Sequence, residues 1–265
     1  MAATIKDVAK ETGLGLATIS SYLNGGNVRE KNRIKIEKAI EELHFEVNEV
    51  ARGLKTNKTK IIGVLIPELN NIFCAEIITE VEDQLRSHGY ATMICDCRTD
   101  ENREEEAVEF LLHRRVDGLI IMPSGKRGVY LQKFLRAGKP VVLIDRKLKD
   151  IECDCVLVDN EGAARDAVER LLKAGHRKIG MIAGPEEIYT AEERYRGYCM
   201  AMEKAGVAFG EGLVVRGDYT IKGGAAAMKE LFRKNPHMKA VFVSNYEMTM
   251  GAIIEVNELG LEIPG

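Results

Sequence analysis

No stretch of this 265-residue sequence approaches the roughly 18 uncharged residues of a membrane-spanning helix, and the N-terminal MAATIKDVAKETG lacks the apolar run of a secretory signal. Those absences argue against a membrane or exported protein and set a cytoplasmic location as the expectation. Catalytic signatures are missing too: there is no Walker loop, no G-x-G-x-x-G after a strand, no G-x-S-x-G elbow and no H-E-x-x-H. The expectation is a protein that is not an enzyme, with no catalytic residues and no cofactor. Aromatic residues are scarce at 6%, beside 45% hydrophobic and 30% charged, which is the balance of a globular chain rather than a fibrous or disordered one. No histidine lies near Cys95–Cys97 or Cys153–Cys155 in sequence. Six cysteines (Cys74, Cys95, Cys97, Cys153, Cys155, Cys199) in a cytoplasmic chain of this size are read as reduced. The two C-D-C triplets, 95–97 and 153–155, can each put two thiols on one strand face, as a soft metal would need. Zinc sites, however, usually space their cysteines by two to four residues. Buried strand cysteines are the preferred reading, and no metal site is assigned.

What is present divides the chain. Residues 1–60 hold eleven Lys/Arg against eight Asp/Glu, and the other 205 residues hold 27 against 33, so the positive charge sits at the N-terminal end. That is the distribution expected if only this end touches phosphates. The same sixty residues read as three short helices. Thr4-Ile5-Lys6-Asp7 has capping-box form, and Gly13 supplies a left-handed stop. A second helix runs from about Leu16 to Leu23, with Ile19 and Leu23 on one side, and Gly25-Gly26 stops it. A third, from about Lys31 to His44, repeats apolar residues at Ile36, Ala39, Ile40 and Leu43.

From Lys60 onward, short apolar runs alternate with longer amphipathic stretches. Strands are expected at 61–67, 91–95, 118–122, 140–145, 156–159, 179–183, 213–216 and 240–244. Helices are expected at 72–88, 102–115, 128–137, 160–174, 189–205, 222–234 and 246–259. Strands separated by helices form parallel sheets, because parallel neighbours need crossover connections. So many units exceed one small sheet, and the pattern divides near Asn160 into two doubly wound lobes. Such sheets bind ligands at the carboxyl ends of their strands, which places the expected site in a cleft between the lobes.

The segment IKDVAKETGLGLATISSYLN resembles the helix-turn-helix of the LacI/GalR repressor family. The resemblance continues, in the family's order, through EKAIEELHFEVN, NEVARGLK, TKIIGVLIPELNNIFCAEI, VDGLII, VLIDR, VDN, GHRKIGMIAGP, TAEERYRGY and GAIIEVNELGLEIP. It implies an N-terminal all-α helix-turn-helix domain followed by two doubly wound parallel α/β lobes resembling periplasmic binding proteins. The expected division is 1–46 for the DNA-binding domain, 47–60 for a hinge helix and linker, 61–160 for the first lobe and 161–265 for the second. The chain stops inside the family's usual LEIPxDVSVIGFD segment, so closing elements of a typical member lie beyond it, and exposed strand edges are expected to favour association.

By this resemblance the second helix enters the major groove of operator DNA. Leu16 and Ala17 stand at the base-reading positions, where apolar side chains suit thymine methyls. Thr4, Lys6, Thr18, Ser20, Asn24, Asn32 and Arg33 match positions that contact mainly phosphates and set register. Three positions depart from the family: Gly15 for a serine cap, Ser21 for an arginine, and Arg29 for a serine cap. The change at Ser21 removes a charged donor from the DNA face. Hinge positions Asn48, Ala51, Arg52, Leu54 and Lys55 match the family, with Leu54 as an apolar wedge for the minor groove. Gly53 weakens this short segment by about 1 kcal/mol relative to alanine, so it is expected to be largely unfolded without DNA. The effector-contacting positions map onto Phe73, Met122, Asp145, Tyr189, Thr190, Arg194, Asn245 and Tyr246. Tyr246 replaces the family's usual aspartate. The expectation is a homodimeric transcription regulator that binds a pseudo-palindromic operator and a sugar, nucleobase or phosphorylated metabolite. A solute-binding receptor without a DNA role is the alternative.

Overall fold

The computed structural model describes residues 3–47, 52–53, 56–210 and 212–263. Two compact units emerge, Met1–Lys60 and Ile61–Gly265. The first is helical: α1 (Ile5–Thr12), α2 (Leu16–Leu23) and α3 (Glu30–Glu42). At the start of α1 the Asp7 carboxylate accepts the Thr4 amide at 2.8 Å and the Thr4 hydroxyl at 2.7 Å. These two bonds hold its pKa below the usual carboxylate value. Gly13 ends the helix with φ at 66°. Val8, Ile19 and Ile36 are fully buried, one from each helix, with Ala39, Leu23, Leu43 and Phe45 around them. Each such side chain contributes about 1.5–3 kcal/mol by burial.

The second unit carries two parallel sheets. In chain order its elements are β1 (Ile61–Ile66), α4 (Ile72–Ser87), β2 (Ala91–Asp96), α5 (Glu101–His113), β3 (Gly118–Ile121), a 3₁₀ turn (Val129–Leu131) leading into α6 (Gln132–Arg136), β4 (Val141–Ile144) and β5 (Asp154–Val156). There follow α7 (Asn160–Lys173), β6 (Ile179–Ala183), α8 (Tyr189–Lys204), β7 (Val214–Arg216), α9 (Ile221–Lys234), β8 (Ala240–Val243) and α10 (Tyr246–Glu258). Strand order is β2-β1-β3-β4-β5 in one sheet and β7-β6-β8 in the other, all neighbours parallel. In each sheet the first strand in sequence is flanked by the next two on opposite sides. That creates the reversal of strand order at which such folds hold ligands.

Alternation along the central strands builds a core on both sheet faces. Leu65 packs with Val108, Leu111, Leu119, Phe134 and Leu143 on one side. Val64 and Ile66 pack with Cys74, Ile78, Met122 and Ile144 on the other. In the second sheet Ile179, Met181 and Ala183 join Val168 and Tyr198, whereas Ile182 faces Met228, Leu231 and Met248. Helices α9 and α10 cross with backbones nearly touching: a Cβ on Gly251 would collide with the Ile221 carbonyl, and one on Gly224 with the Met248 backbone. Only glycine at those two positions allows α9 and α10 to approach this closely.

Two expectations require correction. The fifth strand was expected at 156–159 but lies at Asp154–Val156, where Val142 pairs with Asp154 and Ile144 with Val156. The reason is local: the Asp159 side chain accepts the Gly162 amide and caps α7, so the chain has left the sheet by then. The cysteines are not uniformly buried strand residues. Cys97 is buried just past β2, Cys95 and Cys153 are half-buried, and Cys155 is exposed because β5 is an uncovered edge. No group of three or more metal-ligating side chains occurs among the described residues. Among them, no helix is long and apolar enough to cross a membrane.

Candidate functional site

The helical unit presents an exposed concave face. Thr4, Leu16, Ala17, Ser20, Asn24 and Arg52 line one recess of about 750 Å³, together with Phe45, Val47 and Thr56. Glycine at position 15 begins α2 with extended backbone and no side-chain cap, leaving Leu16 45% exposed at the first turn. Asn24 is partly spent in ending the helix, its amide donating to the Ser20 carbonyl at 2.7 Å. Lys6 is exposed on α1, while Thr18, Ser21 and Asn32 are half-buried outside the recess. Arg33 pairs with Glu30 at 2.9 Å and lies 3.7 Å from Glu37. Asn48, Ala51, Leu54 and Lys55 lie outside the described residues.

In the α/β unit, a cavity of about 430 Å³ opens between the carboxyl ends of the two sheets, within the size range of small-molecule sites. Phe73, Met122, Asp145, Thr190, Arg194, Asn245 and Tyr246 all line it. Phe73 is 46% exposed and Tyr246 62%, so both offer ring surface at the rim rather than filling core. Met122 is buried at the floor, its sulfur 3.7 Å from the Cys74 thiol. Burial pushes that thiol up to about 11, which keeps it protonated.

Asp145 follows β4 with φ at 63°, a conformation uncommon for a non-glycine residue. Its carboxylate lies 3.5 Å from the Arg146 guanidinium. Arg194 makes two bonds that fix its direction: Nε donates to Asn160 Oδ1 at 2.8 Å and Nη1 to the Ser244 carbonyl at 2.5 Å. It does not pair with the carboxylates beside it on α8, since Glu192 meets Arg216 and Glu193 meets Arg196.

Tyr189 does not join this group. It lies in a separate recess with Lys126, Lys147, Lys149 and Arg196. Consecutive helical side chains diverge by about 100°, and at the first turn of α8 it is Thr190, only 3% exposed, that faces the cavity.

Among the lining residues that sequence reasoning passed over, four bear on the site's chemistry. Arg146 is 9% exposed and donates from Nη1 to the Pro123 carbonyl at 2.8 Å, while its Nε makes no hydrogen bond among the described residues and faces the Asp145 carboxylate at 3.5 Å. The Ser244 hydroxyl is likewise buried and unpartnered. A buried polar group left without a hydrogen bond costs about 1–3 kcal/mol, and both residues line the cavity. Tyr219 lines the wall with its pKa raised by burial, an effect the Arg194 guanidinium opposes. Glu247 completes the mouth. The VLIDR run displayed Arg146 beside Asp145, whereas nothing local marked the other three.

Two family models match the chain. "Bacterial regulatory proteins, lacI family" covers residues 4–48, and "Periplasmic binding proteins and sugar binding domain of LacI family" covers residues 59–265. Catabolite control protein A of Priestia megaterium is 33% identical over 266 residues, spanning 100% of this chain and 80% of the relative. The repressor CytR of Escherichia coli K12 is 31% identical, over 99% of this chain and 77% of its own length. Among solved structures, the Lac repressor dimer bound to operator and the anti-inducer ONPF superposes with a TM-score of 0.84 at 25% identity, covering 99% of this chain and 80% of that one. A complex of the regulator CelR with cellobiose gives 0.72 at 30% identity, over the same shares. With one model on the helical unit, another on nearly all that follows, and relatives alike throughout, this chain belongs to the LacI family of DNA-binding bacterial transcription regulators.

Proposed function

We propose that the chain is a cytoplasmic, non-enzymatic repressor whose α2 reads operator bases through Leu16 and Ala17 while Thr4, Lys6, Thr18, Ser20, Asn24, Asn32 and Arg33 meet phosphates. Two copies bind a pseudo-palindrome, each supplying one helix-turn-helix, and paired hinges fold on the operator with Leu54 wedged into the minor groove and Asn48, Ala51, Arg52 and Lys55 beside it. An effector occupies the α/β cavity against Asp145, Thr190, Arg194 and Asn245, with Phe73 and Tyr246 covering it, Met122 below it, and Arg146 and Ser244 added to the set. Tyr189 is left out of the contacts. Effector binding alters lobe closure and hinge spacing, which couples the two sites.

The observation that carries this reading is the pairing, on one chain, of an exposed recognition-type helix with a polar cavity whose buried Ser244 and Tyr219 hydroxyls make no hydrogen bond among the described residues. The cavity alone would suit a solute receptor, but such a protein has no use for the α2 face. The cellobiose carried by the CelR relative supports an effector bearing hydroxyls. The test is a thermal-shift screen against sugars, nucleobases and phosphorylated metabolites, since a ligand bound only by the native state raises the melting point. The hit should lose its effect in Arg146→Met and change operator affinity in the unmodified chain. A hit that binds but leaves operator affinity unchanged removes the coupling.

A further inference from the structure

At the mouth of the cavity one carboxylate joins the two lobes. Glu247 accepts from Asn71 Nδ2 at 2.7 Å through Oε1 and from Asn245 Nδ2 at 2.8 Å through Oε2. Each asparagine is also the N-cap of a helix. The Asn71 oxygen accepts the amides of Phe73 and Cys74 at 3.0 and 3.2 Å, and the Asn245 oxygen accepts that of Met248 at 3.0 Å. With their oxygens committed, both side-chain amides donate outward and meet Glu247, the Asn245 amide donating also to the Tyr219 carbonyl at 3.3 Å. The N-terminal ends of α4 and α10 add their positive partial charge to the same place. A carboxylate of the protein itself thus sits where two amide donors and two helix N-termini converge.

The remaining charges reinforce that choice. Glu68, Asp145 and Asp218 also line the cavity, against only Arg146 and Arg194. Arg194 is committed to Asn160 and Ser244, and Arg146 sits beside Asp145 with one bond to Pro123. The buried lining groups that make no hydrogen bond among the described residues are the hydroxyls of Ser244 and Tyr219 and the Nε–H of Arg146, the last lying 3.5 Å from the Asp145 carboxylate, and the two hydroxyls suit ligand hydroxyls.

We propose that Glu247 sets the charge class of the effector: it reserves the anion position between the lobes, so the cavity takes a hydroxyl-bearing ligand without a phosphate and excludes phosphorylated compounds. The assignment rests on the cavity being the effector site.

The experiment uses the full chain with inorganic phosphate as the probe, titrated at constant ionic strength into the parent protein, Glu247→Gln and Glu247→Ala. Glutamine keeps the size of the side chain and an acceptor for one asparagine, so it guards against a folding defect in the alanine variant. Removing a carboxylate a few ångströms from the ligand should raise phosphate affinity about tenfold or more in both variants, about 1.4 kcal/mol. The gain should vanish when Arg146→Met is added, which places the phosphate in the cavity. Affinities within about threefold across all three proteins overturn the proposal, and so does a gain that survives Arg146→Met. If a ligand from the thermal-shift screen is lost in Arg146→Met while phosphate ignores Glu247→Gln, only the charge assignment fails. If that ligand ignores Arg146→Met, the cavity reading fails with it.

Discussion

Replacing Arg194 by methionine removes the strut that joins three elements behind the cavity. The guanidinium spans from α8 to the first residue of α7 through Asn160 and to the end of β8 through the Ser244 carbonyl. Asn160 and Ser244 are 4% and 5% exposed, so neither partner has ready access to bulk water once the arginine is gone. A hydrogen bond from a charged donor contributes about 1.5–3 kcal/mol. Two such bonds are partly offset because methionine fills similar volume and avoids burying a charge. The expected net loss is about 2–4 kcal/mol, which for a unit of this size lowers its melting temperature by roughly 5–15 °C. Urea unfolding followed by circular dichroism measures it, with the double variant Arg194→Met/Asn160→Ala showing a loss well below the sum of the singles. Arg194→Lys tests the geometry: a single ammonium cannot serve both acceptors with the spacing of a planar fork, so it should recover less than half of the loss. A lysine variant as stable as the parent, or additive single losses, would refute the strut.

Four further outcomes follow from the same physics. Ile36→Ala, which empties the centre of the helical unit, should cost about 2–4 kcal/mol and abolish operator binding while ligand-induced stabilisation of the α/β unit persists. Gly251→Ala should cost at least about 1–3 kcal/mol by forcing α9 and α10 apart, read as a lowered urea midpoint. Glu104 is buried on α5, and burial raises its pKa above 4.5 despite bonds from Tyr130 and the Ser124 amide. The folded state therefore holds this proton more tightly than the unfolded one, so its contribution is full below pH 4.5 and is lost as pH rises through the raised folded value. Glu104→Gln should remove that component of the pH–stability profile, and an unchanged profile contradicts the assignment. Lys6→Ala should weaken operator binding uniformly across sequences and reduce the salt slope by about one unit, whereas Leu16→Ala should alter sequence preference and leave the slope alone.

Much of this architecture was legible because the sequence punctuates it. Gly13 ended α1 where a left-handed residue was expected, whereas the cap at Asp159 was read as the end of a strand and those at Thr220 and Asn245 were not read at all. The buried strands β1 and β6 were plain from unbroken apolar runs, because both faces are covered. The run Val156–Val158 carries the same composition but no covering helix, and only its pairing with β4 reveals where the strand lies. In the cavity, Asp145, Arg194 and Asn245 followed from resemblance, but the difference between Tyr189 and Thr190 depends on the rotation of α8 by one residue. Glu247 could not be found from sequence at all: its bond to Asn71 spans 176 residues, and its neighbours in the chain give no hint of it.

The central claim is that two copies of α2 present themselves to a duplex in fixed, symmetric arrangement. Selection of bound sequences from a random duplex pool by the full chain at low ionic strength tests it most directly. The account predicts enrichment of one inverted repeat with constant half-site spacing, lost in Leu16→Ala/Ala17→Gly. Recovery of no inverted repeat by a dimeric, folded preparation would contradict it.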